Sequence, residues 1–283
     1  MSIILPVASA VLQAGSLTID KITLSIKNIT YKTYTGISFP LILLINFIIF
    51  LIFAPQLSSS LFAWKFILLI LLSSILSIIG NFLFYRALKK DGLNEIEVIS
   101  LLGNIPLIIF TSLIFASERA NPLIIGLALL SSAAIIWSHW KKDHFQIAKK
   151  TLGLLIFTLL VSPFRGVIAK VLLEAWNPIS LQLAITIIPA IFFSFMFIKS
   201  EKKVTGKAFL LLLATNILST VAWILYFFSY QQLGVIYTVL IFSLQPLLVY
   251  FSSFFLLKEK FHKKKFIAFL IILLSIIAAQ IIR

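Results

Sequence analysis

From Tyr230 to Gln280 the chain alternates two hydrophobic runs with one tight charged turn. The first run, Gly234 to Leu257, carries Pro246 in its middle. The turn is Lys258-Glu259-Lys260-Phe261-His262-Lys263-Lys264-Lys265, and the second run is Phe266 to Ile282. Each run is long enough to cross a bilayer as a helix, which takes about 20 apolar residues. The same order occurs earlier: Tyr85, a polar hinge, a run containing Pro106, the turn Glu118-Arg119-Ala120-Asn121, and a run from Pro122 to Trp137. A unit used twice in one membrane chain marks a transporter built from internal repeats.

The rest of the chain has the same texture. Breaks at charged and turn residues predict ten spans: about 2–19, 36–53, 62–88, 93–116, 121–138, 151–175, 178–198, 207–231, and the final pair. The longest polar connection is Lys141 to Lys150. Each span is expected to be helical, because backbone groups in hydrocarbon must bond within their own segment. Composition agrees: 61% of the 283 residues are hydrophobic and 12% charged, against roughly 25% charged in soluble domains. The fold class is therefore all-α and polytopic.

Five spans per half is an odd number, so a second copy must cross the membrane upside down. The expected organisation is a first five-helix repeat over 1–138, a connecting loop over 139–150, and a second, inverted repeat over 151–283, around a central cavity. Matched pieces support it: Phe82-Leu83-Phe84-Tyr85 against Phe227-Phe228-Ser229-Tyr230, and Thr18-Ile19-Asp20-Lys21 against Val167-Ile168-Ala169-Lys170. Residues 1–138 and 151–283 should superpose, with Pro106 near Pro246 and Glu118 near Glu259.

The net charge of +15 does not point to nucleic acid, because the lysines sit in short tracts between hydrophobic runs. Of the 24 Lys and Arg residues, 19 fall in connections on one side and 4 on the other. The positive-inside rule places the 19 in the cytoplasm and both termini outside. There is no cysteine, so thiolate metal sites and disulfides are excluded. His139, His144 and His262 show no ligand spacing, and neither metal nor cofactor is expected. No hydrolase, zincin or phosphate-loop motif is present, so enzyme is the weak reading. The first run meets Gln13, Ser16 and Thr18 directly and has no basic lead, which reads as a retained span facing protein or a cavity.

The duplicated unit resembles the EamA-type transporters of the drug/metabolite transporter superfamily. The resemblance rests on the proline-bearing runs, the turns with Glu118-Arg119 and Glu259-Lys260, the hydrophobic closing runs, and Asp20-Lys21 at the end of span one. It covers nearly the whole chain. It implies a ten-helix fold whose cavity is lined by spans one, three, four, six, eight and nine. It also implies carriage of a small metabolite: an amino acid, sugar, nucleotide conjugate, cation or lipid-linked sugar. One departure is the connection between spans two and three, basic in that group and holding only Lys65 here. Family habit, unlike the charge count, puts both termini inside.

On those spans the expected substrate-binding residues are Arg165, Gln13, Asn81, Asn104, Asn216, Trp223, Tyr226, Tyr237 and Gln245. Amides and hydroxyls bond a polar solute and aromatic faces stack on a ring or cation; the same amides also serve as glue between membrane helices. Arg165 is the sharpest candidate, since a guanidinium deep in a span needs a partner or water. Its planar fork suits a carboxylate or phosphate, so an acidic or zwitterionic substrate is favoured. Glu97 is the coupling candidate if transport uses protons. Pro106 and Pro246 are expected helix kinks, and Pro163 with Gly166 loosens the helix around Arg165. Glu118 and Glu259 are read as ties between a turn and a neighbouring helix start.

The reading is a secondary carrier of a small polar metabolite, working by alternating access in the cell's inner (plasma) membrane as a monomer or homodimer. The rivals are a carrier of lipid-linked head groups, and a membrane-embedded enzyme or scaffold without transport.

Overall fold

The computed structural model describes residues 3–90, 93, 96, 99, 102–118, 121–139, 151–198, 204–257 and 263–282. These residues form helices and short turns, with no strand among them. In chain order the helices are α1 (Ile4–Ser25), α2 (Tyr31–Phe53), α3 (Trp64–Lys90), α4 (Asn104–Ile114), α5 (Pro122–His139), α6 (Leu152–Leu160), α7 (Ser162–Leu173), α8 (Pro178–Ile198), α9 (Gly206–Leu233), α10 (Val235–Phe242), α11 (Gln245–Leu257) and α12 (Lys263–Ile282). Among the described residues, six segments are long and apolar enough to cross a membrane: Tyr31–Phe53, Trp64–Lys90, Leu152–Leu173, Pro178–Met196, Gly206–Leu233 and Val235–Ser252. The connection 140–150, Glu97 and Glu259 lie outside the described residues.

Local chemistry sets the helix ends. Thr30 accepts the Thr33 N–H at 3.1 Å and Thr205 the Ala208 N–H at 3.3 Å, capping α2 and α9. Asn177 Oδ1 accepts the Ile179 N–H at 2.9 Å at the start of α8. Ala54 ends α2 in the left-handed region, just before Pro55, which cannot continue the helix. Three proline-bearing runs are broken in a common way, whereas Pro40 and Pro189 sit inside the unbroken α2 and α8. Pro106, Pro163 and Pro246 each sit in the first turn of a new helix, after breaks at Gly103, Val161 and Ser243-Leu244. A proline lacks its N–H and crowds the carbonyl four residues back, so each break lies N-terminal to its proline.

Helices pack mostly across the sequence midpoint. The closest pairs are α1 with α9, α2 with α8, and α5 with α12. The first pair explains why span one is polar. Ala10 and Ala14 let α1 approach α9, the Ser9 hydroxyl donates to the Ala222 carbonyl at 2.8 Å, and the hydroxyls of Ser16 and Thr215 lie 2.8 Å apart. Small residues and hydroxyls hold membrane helices together where no hydrophobic force is available. In α2–α8, Phe39 stacks on Phe193 at 4.4 Å between centroids and Asn46 donates to Thr186. In α5–α12, Ala128, Ser131, Ala268 and Ala279 are buried. The outer faces are greasy instead: Leu44, Leu51, Ile52, Phe53, Phe195 and Leu210 are exposed, as lipid-facing side chains would be.

Helix α1 runs six residues past the expected end of span one. Asp20 is therefore not a terminal residue but a buried one, inside a helix. Glu97, the carboxylate expected inside a span, lies outside the described residues; Asp20 is a buried carboxylate inside a described helix.

Candidate functional site

A cavity of about 340 Å³ lies at the centre, walled by α1, α2, α3, α4, α6, α7, α8 and α9 together with Phe242 and Gln245. That is within the range of small-molecule sites, which start near roughly 300 Å³. Of the expected residues, Arg165, Gln13, Asn81, Asn104, Trp223, Tyr226 and Gln245 line it. Asn216 and Tyr237 do not; both are buried in the helix packing. On α9 the wall begins at Ser219, one turn past Asn216. On α10 it is reached by Phe242, and Tyr237, five residues earlier, falls well round the helix from it. Helices α2 and α8 contribute Phe39, Gln182, Thr186 and Pro189, which were not expected at the wall.

Arg165 reaches the cavity from α7, just after the break at Val161. It makes no ion pair with a described residue, and its Nε is buried without a hydrogen-bond partner. Gln13 Oε1 is in the same condition. An orphaned donor and acceptor on one cavity wall are what a polar guest would satisfy. Asn81 is different: its amide donates to the Ser77 carbonyl at 2.8 Å within its own helix. Gly80 makes room for the Phe157 ring, next to the guanidinium. A Cβ there would stand 2.7 Å from the Phe157 ring and 3.6 Å from Arg165 Nη1. Gly80→Val should therefore push the Phe157 ring into the cavity and crowd Arg165. Overpacking of this kind costs about 1–3 kcal/mol. Thermal unfolding with and without ligand should show a modest loss of stability and a complete loss of ligand stabilisation.

One wall is aromatic. Trp223 meets Tyr226 edge-on at 5.3 Å, Tyr226 meets Phe242 at 4.7 Å, and the hydroxyls of Tyr226 and Tyr230 are 2.9 Å apart. Tyr230 also lines a second pocket of about 190 Å³ with Lys170, Leu173, Glu174 and Gln231. It thus stands as a partition at that end of the cavity.

Beside Tyr230 is a tie between the chain's two halves. Glu118 Oε1 accepts the Val235 N–H at 2.8 Å and Oε2 the Ile236 N–H at 3.2 Å, while Lys170 Nζ is 3.4 Å from Oε1. The carboxylate caps the free backbone amides of the buried residues at the start of α10, where the helix dipole favours negative charge. Gly234 turns the chain with φ +86°, and a Cβ there would meet the Glu118 carboxylate at 2.9 Å. Sequence reasoning assigned Glu118 to a turn and a neighbouring helix start; the helix it caps belongs to the other half.

At the opposite end of α1 the wall includes Asp20. Its Oδ1 accepts hydroxyl hydrogens from Tyr34 and Thr215, and the Tyr85 hydroxyl lies beside them. Gln13, Ser16 and Asp20 recur at helical spacing, a polar stripe that could have pointed to this residue had span one not been ended at Ile19.

Residues 149–279 match the model of the EamA-like transporter family. This stretch of the chain is similar to an EamA-like transporter domain. The match agrees with membership of the drug/metabolite transporter superfamily and with a multi-pass membrane protein. No curated protein matches the sequence. Several solved structures share the fold; one crystal structure does so with a TM-score of 0.74 at 14% identity, covering 98% of this chain and 96% of that one. The matched stretch takes in α6 to α11 and most of α12, and so contributes Arg165, the aromatic wall and the Lys170 side of the Glu118 tie.

Proposed function

We propose that this EamA-like protein is a secondary carrier that moves a small acidic or zwitterionic metabolite across the cell's inner membrane. It works by alternating access between inverted five-helix halves, 1–138 and 151–283. The observation that carries this reading is Arg165: a guanidinium without an ion pair to any described residue, on the wall of a central cavity, in a stretch that matches a family of transporters. A guanidinium in that position offers two parallel N–H donors to a carboxylate or phosphate. Gln13, Asn104 and Gln245 would bond the remaining polar groups, and Trp223 with Tyr226 would cover the apolar part.

The helix pairings support two related halves. Exchange of the halves turns α1–α9 into α3 with α6 and α7, which is also in contact, and returns α2–α8 and α5–α12 to themselves. The chain has no phosphate-cradling loop, so the energy would come from the solute gradient or a coupled ion.

A thermal-shift series on the purified protein tests the substrate class. Amino acids, other carboxylates, amines, neutral sugars, nucleosides and lipid head groups are the probes. Ligands with a carboxylate or phosphate should raise stability by RT ln(1 + [L]/Kd), about 2.7 kcal/mol at 100 times Kd. Stabilisation by amines or neutral sugars alone would overturn the assignment. Stabilisation confined to lipid head groups would favour the lipid-linked carrier.

A further inference from the structure

Asp20 is a carboxyl group that the solute site does not use. It is 2% exposed, it lies on the cavity wall, and it makes no ion pair with a described residue. Its neighbours are hydroxyls contributed by three other helices: Tyr34 of α2, Tyr85 of α3 and Thr215 of α9. Tyr34 and Tyr85 are the titratable groups facing it from α2 and α3. The neighbouring Lys21 directs its ammonium to the Leu88 carbonyl at 2.8 Å, and Lys89 directs its own to the Leu24 carbonyl. Arg165 is on the same cavity wall but not within ion-pair distance.

A buried carboxylate held only by neutral hydroxyls is costly to keep charged, and a bound proton removes that cost. The covering of Tyr34 and Thr215 over a side chain so little exposed leaves space for a proton rather than an ammonium head group. Ser16 and Thr215 extend the cluster by a hydroxyl pair 2.8 Å apart, and Gln13 and Ser16 continue along the cavity wall. The carboxyl also joins α1 to α2 and α9. Hydrogen bonds to an ionised acceptor are roughly twice as strong as neutral ones. Protonation of Asp20 would therefore weaken a junction of three helices at one end of the cavity, while Arg165 keeps its charge.

We propose that Asp20 is the group that binds and releases the proton accompanying the solute through this carrier. The proposal rests on the carrier reading above. It puts the proton site on α1, rather than on Glu97.

Infrared difference spectra of the protein in liposomes, taken across about pH 5 to 8, read the proton directly, since a coupling group has to change state near neutrality. Wild type should show a protonated-carboxyl C=O band growing on acidification. The band should be missing in Asp20→Asn and displaced in Asp20→Glu. Uptake is measured on the same liposomes with glycine and L-glutamate as probes, once under an imposed pH gradient and once as counterflow at equal pH. Asp20→Asn should lose accumulation driven by the gradient and keep counterflow; Asp20→Glu should recover part of the accumulation. The proposal is overturned if no Asp20 band titrates, if Asp20→Asn accumulates either probe as wild type does, or if Glu97→Gln rather than Asp20→Asn uncouples transport. If wild type moves neither probe, the carrier reading fails for those solutes, and the infrared titration still decides whether Asp20 takes a proton.

Discussion

Arg165→Ala should lower the affinity for a carboxylate ligand by about 100-fold or more while the protein still folds. A hydrogen bond to a charged group contributes roughly 1.5–3 kcal/mol, and the guanidinium can make two of them. Since about 1.4 kcal/mol is a factor of ten in Kd, loss of the pair removes two or more orders of magnitude. Stability should hardly change, because the side chain makes no ion pair with a described residue and its Nε has no partner to lose. Arg165→Lys keeps the charge but not the fork, and should retain weak binding. Isothermal titration and thermal unfolding on the same preparations separate the two effects. Normal binding in Arg165→Ala would make the arginine a structural residue.

Glu118→Ala should be the most destabilising single change in the described part of the chain outside the cavity. It strips two caps from α10 and leaves the Lys170 ammonium without its carboxylate in a poorly exposed place. Breaking a buried pair from one side costs roughly 3–5 kcal/mol. For a chain of this size that lowers the unfolding midpoint by on the order of 10 °C. Glu118→Gln, which still accepts one N–H, should lose less. Lys170→Ala should also lose less, because the helix cap remains. The double variant Glu118→Ala with Lys170→Ala should fall short of the sum of the two single losses, as expected for residues that share one interaction. The tie sits beside Tyr230, the partition between the central cavity and the smaller pocket. Its loss should therefore expose that end. The chain has no cysteine, so Leu173→Cys, buried in the wild-type background, gives a clean reporter. Its reaction with a soluble maleimide should speed up when Glu118→Ala is added. Unchanged reactivity would mean that the tie supports the fold without closing the cavity.

Helical character, the positions of the runs and the breaks near the three prolines were legible in the sequence because they are local properties. An apolar run in hydrocarbon has to satisfy its own backbone, so each run with described residues is a helix, and Pro178–Ile198 falls where it was expected. Arg165 was legible for a similar reason: a charge deep in a span has few places to go. Pairings between distant residues were not legible. Glu118 meets an amide 117 positions later, and Asp20 a hydroxyl 195 positions later. No local pattern encodes those separations. Rotation about a helix axis, with about 100° between neighbouring residues, turned Tyr237 away from the cavity that Phe242 reaches, and position along the axis decided the rest. Asn216 and Trp223 share a helix face, yet only Trp223 lies along the length of the cavity. By itself the sequence determined that this chain is a bundle of membrane helices with a polar interior and one arginine to explain. The tertiary structure alone decided which polar groups share that interior, because a helix's register and rotation are set by the neighbours it packs against.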